Sequence, residues 1–501
     1  MFANILLGLQ TVTSPMVLLF LVLGCIVGLI IGALPGLTGN MAIALMVPLT
    51  FGMEPSVGLA FLTAIYCSSI FGGSISAILL GIPGTISSFA TTLDGYPLAK
   101  QGKAGMALGT STLASVFGGL FSAIVLLFLT PVLAEFALKF GPGEYFAVSL
   151  LGIACITSIS GDDVPKGLLS GMIGLLIAVI GMDPQNGTPR LTFGSVNLLS
   201  GIDLVASLIG LFGVVSVLKA AEACKKAKSS QEMPEIDNVW IGVKECIHQL
   251  PTWIRCSVIG TIIGIIPGAG TNVATFMAYD TEKKLSKDPD SFGKGNIIGV
   301  AAPEAANNAV TGGSLVPLLA LGVPGNSTSA LFLGAIMIHG MQTGPVMFTD
   351  HPDVIYGLFL SMILANIIMA PLGIFILRYM KKILSIPEEL LSGIVLAFCV
   401  TGVFAIATNP FDVLVTIIFG LVGYFCYKFK MPTAPMIVAM VLGSMTENNL
   451  RQALVASKNS YSFLWKSPIT LAVMIVAIGS FFFPFISAKL REKKAAKAAA
   501  K

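Results

Sequence analysis

The stretch that decides the fold is Gly-Ala-Leu-Pro-Gly-Leu-Thr-Gly-Asn, which runs from Gly32 to Asn40 through otherwise apolar sequence. It returns from Gly264 to Asn272 as Gly-Ile-Ile-Pro-Gly-Ala-Gly-Thr-Asn, at a constant offset of 232 residues. Because proline lacks a backbone donor and glycine tolerates positive φ, each copy predicts a break in an apolar helix. Unpaired backbone inside a bilayer is tolerated only where protein buries it or where it lines a polar cavity. The pair of breaks therefore points to the binding site of a secondary transporter.

The composition is that of a polytopic membrane protein. Of the 501 residues, 55% are hydrophobic and only 11% are charged, and many apolar runs reach spanning length. The formal charge of +4 does not indicate nucleic-acid binding, because the basic residues fall in short loops between apolar runs. Eight cysteines without a Cys-x-x-Cys pair and three histidines without metal-ligand spacing argue against a transition-metal or redox site.

A second pair of Pro-Gly breaks lies further along each half of the chain. Gly81 to Gly84 reads Gly-Ile-Pro-Gly, Gly322 to Gly325 reads Gly-Val-Pro-Gly, and hydroxyl residues follow both. Upstream of these breaks, Gly-Gly-Ser begins at Gly72 and again at Gly312, an offset of 240 residues. Because the offset between the breaks is 241, we predict one inserted residue in the second half between Gly-Gly-Ser and the break. Close helix packing through small residues is one explanation of such sequence. The clustering of these residues beside the breaks favours a binding site.

The distribution of Lys and Arg among the loops predicts the topology. Loops assigned to the inside hold 17 of these residues, whereas loops assigned to the outside hold two, Lys139 and Arg190. With these faces, the Pro-Gly hairpins of the two halves enter from opposite sides, and the halves are inverted-topology repeats. The predicted fold is an all-α polytopic membrane protein with broken or re-entrant hairpins and roughly 10 to 12 spanning helices. Arg451, Lys458 and Lys466 fit neither face clearly.

The same pattern divides the chain into four segments. Residues 1–218 are the first membrane repeat, and residues 248–488 are the second. The segment 219–247, which holds five lysines, is a cytoplasmic linker between the repeats. The basic tail 489–501 is placed inside and orients the last crossing.

Four longer motifs point to one known family. They are the stretch from Gly32 to Asn40, the Gly-Ile-Pro-Gly-Thr that Asp94-Gly95-Tyr96-Pro97 follows, the Ile-Ile-Pro-Gly-Ala-Gly of the second half, and the Ala-Pro-Glu-Ala-Ala-Asn-Asn-Ala from Ala302 to Ala309. Together they resemble the large membrane subunit of tripartite tricarboxylate transporters, the TctA family. The resemblance covers about Gly8 to Ala488.

This resemblance implies a multi-pass protein of the bacterial inner (cytoplasmic) membrane that takes up tricarboxylates or related carboxylates. It implies two partners, which are a small four-helix membrane subunit (TctB-like) and a periplasmic substrate-binding protein (TctC-like). Sodium ions or protons are the expected coupling ions, and no other cofactor is expected. An elevator-type motion follows by analogy with other binding-protein-dependent carriers.

A carboxylate requires hydrogen-bond donors, and broken helices supply them as free N–H groups with a partial positive charge. If the repeats pair, four such helix ends converge. Hydroxyl and amide side chains near the breaks add donors, and no Lys or Arg lies in these segments. The predicted substrate-binding residues are Thr38, Asn40, Thr85, Ser87, Ser88, Thr271, Asn272, Asn326, Ser327 and Ser329.

The predicted cation site combines backbone and side-chain oxygens. Unwound carbonyls near Gly36 and Gly268 are candidate sodium ligands. Glu304 lies eight residues into an apolar run, which makes it a candidate cation or proton site together with Asn307 and Asn308. The alternative is that these three residues cap or pack a helix close to the cytoplasmic surface.

Other classes of membrane protein stay open at this point. An ion-translocating subunit of a membrane enzyme would also carry inverted repeats, although the sequence shows no nucleophile, metal cluster or cofactor motif. A stand-alone carboxylate symporter would need no soluble partner. Because the predicted site lacks a fixed cation and the outer loops are short, we expect a periplasmic protein to supply both substrate specificity and capture.

Overall fold

Helices make up nearly all of the regular structure, which confirms the all-α membrane class predicted from the sequence. The computed structural model describes residues 2–34, 37–160, 163–183, 185–223, 234–240, 249–268, 270–383 and 388–482. Within these residues, seven helices are long and apolar enough to cross a membrane, and six shorter apolar helices of 10–17 residues accompany them. The chain is therefore a multi-pass membrane protein.

The first half contains eleven helices within its described residues. They are α1 (Phe2–Val12), α2 (Pro15–Ala33), α3 (Gly39–Thr50), α4 (Pro55–Leu80), α5 (Phe89–Lys100), α6 (Ala104–Ala137), α7 (Pro142–Ala154), α8 (Ile156–Ile159), α9 (Val164–Ala178), α10 (Leu204–Ile209) and α11 (Val215–Ala223). A 3-10 turn, Ile86–Ser88, leads into α5, and a π-helical turn, Gly210–Val214, joins α10 to α11. Two short antiparallel strands, β1 (Gly181–Met182) and β2 (Pro189–Arg190), pair in a loop.

The second half begins after the linker, of which residues 224–233 and 241–247 lie outside the described structure, as do residue 248 and the tail 489–501. Its helices are α12 (Leu250–Ile265), α13 (Thr271–Leu285), α14 (Ile297–Leu321), α15 (Ser327–Ile338), α16 (Val346–Asp350), α17 (Pro352–Leu377), α18 (Met380–Ile383), α19 (Glu388–Ala407), α20 (Pro410–Lys428), α21 (Ala434–Ala456), α22 (Phe463–Lys466) and α23 (Pro468–Phe482).

The Pro-Gly stretches break the helices where the sequence predicts. The first break separates α2 from α3, and the second separates α12 from α13. At the second break, Gly268 and Gly270 have φ of 82° and 76°, a backbone conformation that favours glycine. At the first, the Thr38 side chain accepts a hydrogen bond from the Met41 N–H and caps α3. Gly36, a predicted cation ligand, lies outside the described residues.

Glycines bring α2 against α4 in the first half and α12 against α14 in the second. A Cβ atom on Gly32 would lie 2.3 Å from the Ser69 carbonyl oxygen, and one on Gly264 would lie 3.0 Å from the Val310 carbonyl oxygen. These close approaches are the packing that small residues permit between membrane helices. The two halves therefore repeat the same helix crossing.

The packing also corrects the register of the repeat. A Cβ on Gly72 would meet the Leu29 carbonyl oxygen at 2.8 Å, and one on Gly313 would meet the Thr261 carbonyl oxygen at 2.6 Å. Leu29 and Thr261 are equivalent residues, because they are related by the offset of 232. Gly72 therefore corresponds to Gly313, at an offset of 241 residues, which is also the offset between the two breaks that follow. The prediction of one inserted residue was therefore wrong. It came from aligning the two Gly-Gly-Ser sequences by identity, which places Gly72 opposite Gly312 and not opposite Gly313.

Two groups of helices surround the breaks. The core consists of α2, α4 and α6 with α12, α14 and α17, and here α6 packs against α14 while α17 packs against α4. In the peripheral group, helices of the first half pack against helices of the second half. In this group α21 packs against α7 and α9, whereas α10 and α11 pack against α19 and α20. The short helices α3 and α15 lie between the core and the peripheral group.

The structure places Arg451, which the sequence assigned to neither face. Its guanidinium lies 2.9 Å from Asp183, and Arg190 lies 2.6 Å from Glu447, which also pairs with Arg451. The N–H groups of Gln185 and its neighbour, together with Arg451, hold the pKa of the Asp183 carboxyl below its usual range. Arg451 therefore shares a face with Arg190, and the inside excess of basic residues remains.

Candidate functional site

The four helix ends that follow the breaks meet around one cavity of about 840 Å³. They are the N-termini of α3, α13 and α15 and the turn that precedes α5. Nine of the predicted site residues line the cavity. They are Thr38, Asn40, Thr85, Ser87, Gly268, Thr271, Asn272, Asn326 and Ser327. The cavity has the size of a small-molecule site, and its polar groups come from both halves of the chain.

Hydrogen bonds join α3 to α15 at this cavity. The Asn40 Nδ2 atom donates to the Ser327 Oγ atom at 2.9 Å, and the Thr328 hydroxyl donates to the Asn40 Oδ1 atom. Nine of the 12 residues in each helix are buried. The two helix ends are therefore fixed to each other across the repeat boundary.

Two predicted substrate ligands have capping roles instead of lining the cavity. The Ser88 hydroxyl donates to the Thr85 carbonyl oxygen at 2.8 Å and closes the turn before α5. The Ser329 hydroxyl accepts from the Asn326 N–H at 2.9 Å, while the Ser329 N–H donates to Asn326 Oδ1 at 2.8 Å. This reciprocal pair is a capping box at the start of α15. Both serines position the cavity-lining residues.

Tyr66, a residue that sequence reasoning missed, lines the same cavity from α4. Its ring is buried, and its hydroxyl lies 3.0 Å from Ser314 Oγ and accepts a 3.4 Å hydrogen bond from Asn326 Nδ2. These contacts connect the two long helices that end at the second pair of breaks. The tyrosine fell inside an apolar run without a local motif.

The pair α5 and α13 is less buried than the pair α3 and α15, although the Tyr279 hydroxyl of α13 donates to Asp94 of α5 at 2.7 Å. Asn272, the counterpart of Asn40 at the offset of 232, has an exposed side chain without a hydrogen bond to any described residue. A second cavity of about 350 Å³ lies beside it, and its lining includes Phe89 and Phe276, whose rings contact each other with centroids 6.0 Å apart. Thr38, Thr85 and Asn272 line both cavities.

Glu304 is the eighth of the 25 residues of α14, is fully buried, and is not among the residues that line the cavity. Its carboxyl oxygens accept hydrogen bonds from Ser74 at 2.6 Å, from Ser115 at 2.8 Å and from Thr91. These hydroxyls come from α4, α6 and α5 and satisfy a carboxylate without an adjacent cation. Glu304 is therefore enclosed by three neighbouring helices, and whether it binds a cation or packs the helix stays a prediction.

Asn307 and Asn308 follow Glu304 by one helical turn and are also fully buried. Neither polar atom of the Asn307 side chain has a hydrogen-bond partner among the described residues, and neither does Asn308 Oδ1. Leaving a buried polar group unpaired costs about 1–3 kcal/mol. These oxygens suit a hard cation such as sodium, which prefers oxygen ligands.

The structure adds three lysines to a site that the sequence predicted to lack fixed cations. Lys166 of α9, Lys219 of α11 and Lys430 after α20 line the cavity of about 840 Å³. Lys166 pairs with Asp163 at 3.0 Å and holds the pKa of that carboxyl below its usual range. All three lie on the peripheral helices and not on the Pro-Gly segments.

Asp94, the first residue of the motif that follows the Gly81 break, is fully buried. Its Oδ1 atom accepts hydrogen bonds from the N–H groups of Gly293, Gly295 and Asn296 at 2.7–2.9 Å, and its Oδ2 atom accepts from the Tyr279 hydroxyl at 2.7 Å. Asp94 therefore holds α5 of the first half against both α13 and the loop that precedes α14.

Comparison with known proteins gives a family match and two bacterial relatives. Residues 18–438 match the model of the tripartite tricarboxylate transporter TctA family. An uncharacterized 52.8 kDa protein in the TAR-I ttuC' 3' region of Agrobacterium vitis is 34% identical over 95% of this chain and 94% of its own length. An uncharacterized protein in the TAR-II ttuC' 3' region of the same organism is 36% identical over 43% of this chain and 89% of its own length. No solved structure matches the chain significantly.

Proposed function

The chain belongs to the tripartite tricarboxylate transporter TctA family, and from this premise we propose that it imports carboxylates as the large translocating subunit of a cation-coupled secondary transporter. The observation that carries the proposal is the meeting of four broken helix ends around one cavity. The proposed location is a bacterial inner (cytoplasmic) membrane, since both relatives come from a bacterium.

The N-terminus of α13 is the proposed anchor for a substrate carboxylate. Gly270 precedes this helix and supplies no side-chain cap, whereas its counterpart Thr38 caps α3. The first N–H groups of α13 therefore remain available to an anion, which the partial positive charge of the helix end attracts. Thr271, Asn272 and Ser87 line the cavity at this end and supply side-chain donors.

Glu304, Asn307 and Asn308 are the proposed coupling-ion site. Three hydroxyl groups stabilise the Glu304 carboxylate, and the unpaired oxygens of the two asparagines add ligands on the same side of α14. An ionisable residue inside a membrane helix is by default a functional candidate. The coupling ion is sodium or a proton. Gly268 lines the cavity, apart from this buried group, and is proposed as a separate backbone ligand there.

The proposed mechanism is of the elevator type, with the core carrying the site past the peripheral helices. The junction of α3 and α15 is closed, and lysines that the basic-loop rule assigns to the inside line the cavity. This arrangement corresponds to a conformation that is open toward the cytoplasm. Separation of α3 from α15, together with burial of the α5–α13 pair, would open the opposite side.

The proposed partners are a small four-helix membrane subunit and a periplasmic substrate-binding protein. The outer loops within the described residues contain no domain that would capture dilute solute. Substrate is therefore expected to arrive already bound to the soluble protein.

Uptake by proteoliposomes tests this function. Liposomes that hold the chain and the small membrane subunit should show little uptake at micromolar carboxylate until the periplasmic protein is added, even with an imposed sodium or proton gradient. Glu304→Gln, which removes the charge and keeps the shape, should abolish gradient-driven uptake while leaving carboxylate exchange measurable. Saturable micromolar uptake without the soluble protein would support a stand-alone symporter instead. Ion flux without carboxylate uptake would support an ion-translocating enzyme subunit.

A further inference from the structure

The wall of the cavity opposite the broken helix ends is positively charged. Lys166, Lys219 and Lys430 contribute three ammonium groups, and Asp163 contributes one carboxylate. Among the described residues, Asp163 is the salt-bridge partner of Lys166, whereas no salt bridge is formed by Lys219 or Lys430. The wall therefore carries an excess of positive charge that no described carboxylate neutralises.

The lysines are held in place by different contacts. The Lys219 ammonium lies 4.0 Å from the centroid of the Tyr427 ring, which is a cation–π contact on the cavity side of α20. Lys430 follows the end of α20 in a left-handed conformation with φ of 52°, and its N–H donates to the Tyr427 carbonyl oxygen at 3.1 Å. Tyr427 and the turn at Lys430 thus present both ammonium groups to one cavity.

The broken helix ends and the lysine wall differ in what they offer an anion. A helix N-terminus carries only about half of an elementary charge, and the amides and hydroxyls near it are neutral. These groups suffice for one carboxylate. A substrate with two or three carboxylates brings further negative charges into a partly buried space, where an unpaired charge is costly. The ammonium groups of the opposite wall are the groups that neutralise them.

We propose that Lys219, Lys430 and Lys166 form a second anion subsite, which binds those carboxylates of a di- or tricarboxylate that the broken helix ends do not engage. This proposal rests on the proposed carboxylate transport, and it assigns the preference for polyanions to the peripheral helices of this chain. Since these helices meet the site on the lysine-rich side, the subsite acts on the substrate at the cytoplasmic end of its path. Specificity is then shared between the soluble partner and this subunit.

Direct binding to the full-length chain in nanodiscs of zwitterionic lipid tests the subsite. The ligands are acetate, succinate and propane-1,2,3-tricarboxylate, titrated at millimolar concentrations by calorimetry. Lys219→Gln should raise the Kd for the tricarboxylate about tenfold, because its half-buried ammonium loses a charge-assisted contact. Lys430→Gln should raise it about threefold, because that lysine is exposed and screened. Neither variant should change the Kd for acetate.

Matched variants separate binding from folding. Lys428→Gln removes a lysine two residues from Lys430 that pairs with Glu222 and does not line the cavity, so tricarboxylate binding should stay unchanged. Lys219→Arg keeps the charge over Tyr427 and should retain most of the affinity. A thermal unfolding curve for each variant checks that Lys219→Gln still folds, and Lys430→Gln provides the exposed alternative if it does not.

Three outcomes would overturn the inference. An unchanged preference for tricarboxylate over acetate in both glutamine variants would remove the lysines from the substrate site and leave the proposed transport intact. The same titrations in discs that contain phosphatidylglycerol distinguish a lipid from a substrate. If the glutamine variants change tricarboxylate binding in those discs but not in zwitterionic discs, the anion that the lysines bind is a lipid headgroup. Failure of the wild-type chain to bind any of the three carboxylates would contradict the proposed function as well.

Discussion

The pair of short helices α3 and α15 and the pair α5 and α13 follow equivalent breaks, yet the structure treats them differently. In the first pair, nine of 12 residues in each helix are buried, and Asn40 bonds to Ser327 and Thr328. In the second pair, only six of 12 residues of α5 and five of 15 residues of α13 are buried. The counterpart asparagine, Asn272, is exposed.

This difference shows that the repeat in sequence does not impose the same packing on both halves at once. The peripheral helices α10, α19 and α21 cover the α3–α15 pair, whereas the α5–α13 pair packs against core helices. The helices of each pair contact each other, so the pairs differ in burial and not in whether they meet. Unequal burial of two equivalent pairs fits an alternating-access carrier, because one side must be covered while the other is accessible. The proposed transport cycle exchanges the two states.

The largest expected effect comes from locking the closed pair. In a cysteine-free background, Asn40→Cys with Thr328→Cys should react with a short thiol cross-linker and lose nearly all uptake, because α3 and α15 then cannot separate. The measurement is uptake by proteoliposomes before and after reduction. Activity that survives complete cross-linking would show that this junction does not open during transport.

The equivalent pair on the open side is the matched control. Asn272 and Ser87 occupy the positions that correspond to Asn40 and Thr328 at offsets of 232 and 241. Asn272→Cys with Ser87→Cys should cross-link poorly in the cytoplasm-open state and more readily once the opposite state is populated. Equal cross-linking of both pairs under all conditions would show that the difference between the two helix pairs has no part in transport.

Adding a methyl group at the two equivalent helix crossings of the core should destabilise the protein, and by different amounts in the two halves. Gly32→Ala places a Cβ 2.3 Å from a backbone oxygen and should lower the free energy of unfolding by about 1–3 kcal/mol. Gly264→Ala meets its nearest atoms at 3.0 Å and should cost about 1 kcal/mol. Thermal unfolding of the purified chain measures both variants. A greater loss at Gly264 would contradict the packing described for the two crossings.

The smallest effects should separate the two asparagines. Asn272→Ala removes a donor at the uncapped end of α13 and should weaken apparent substrate affinity by roughly tenfold. Asn40→Ala removes two hydrogen bonds of the closed pair and should reduce its stability by about 1–3 kcal/mol, with a weaker effect on affinity. Substrate titrations and thermal curves distinguish these outcomes. Equal changes in substrate affinity and in thermal stability for the two variants would indicate that both asparagines have the same role in binding.

The breaks were predictable from sequence because their cause is local. Proline and glycine interrupt a helix wherever they occur together, and the copy at a constant offset identified the residues that meet at the cavity. The broken ends therefore followed from the motif, as did nine of the proposed ligands around Asn40 and Asn272. The roles of these ligands in binding remain predictions.

The other features of the cavity depend on long-range packing. Lys166, Lys219 and Lys430 lie in three separate segments without a shared motif, so only the arrangement of the peripheral helices brings them together. Tyr66 and Asp94 acquire partners more than 180 residues away. The repeat register was likewise settled by which backbone atoms each glycine approaches, and not by the letters of the sequence.

The measurement that tests the central claim most directly is the accessibility of the cavity from each side of the membrane. Ser216 lines the cavity, and Asp350 is exposed in a loop assigned to the outside. In a cysteine-free background, Ser216→Cys should react with an impermeant thiol reagent only in inside-out vesicles, and a tricarboxylate should protect it. Asp350→Cys should react only in right-side-out vesicles. Labelling of Ser216→Cys from the outside alone, or without any protection by carboxylates, would contradict a cytoplasm-open carboxylate site at the four broken helix ends.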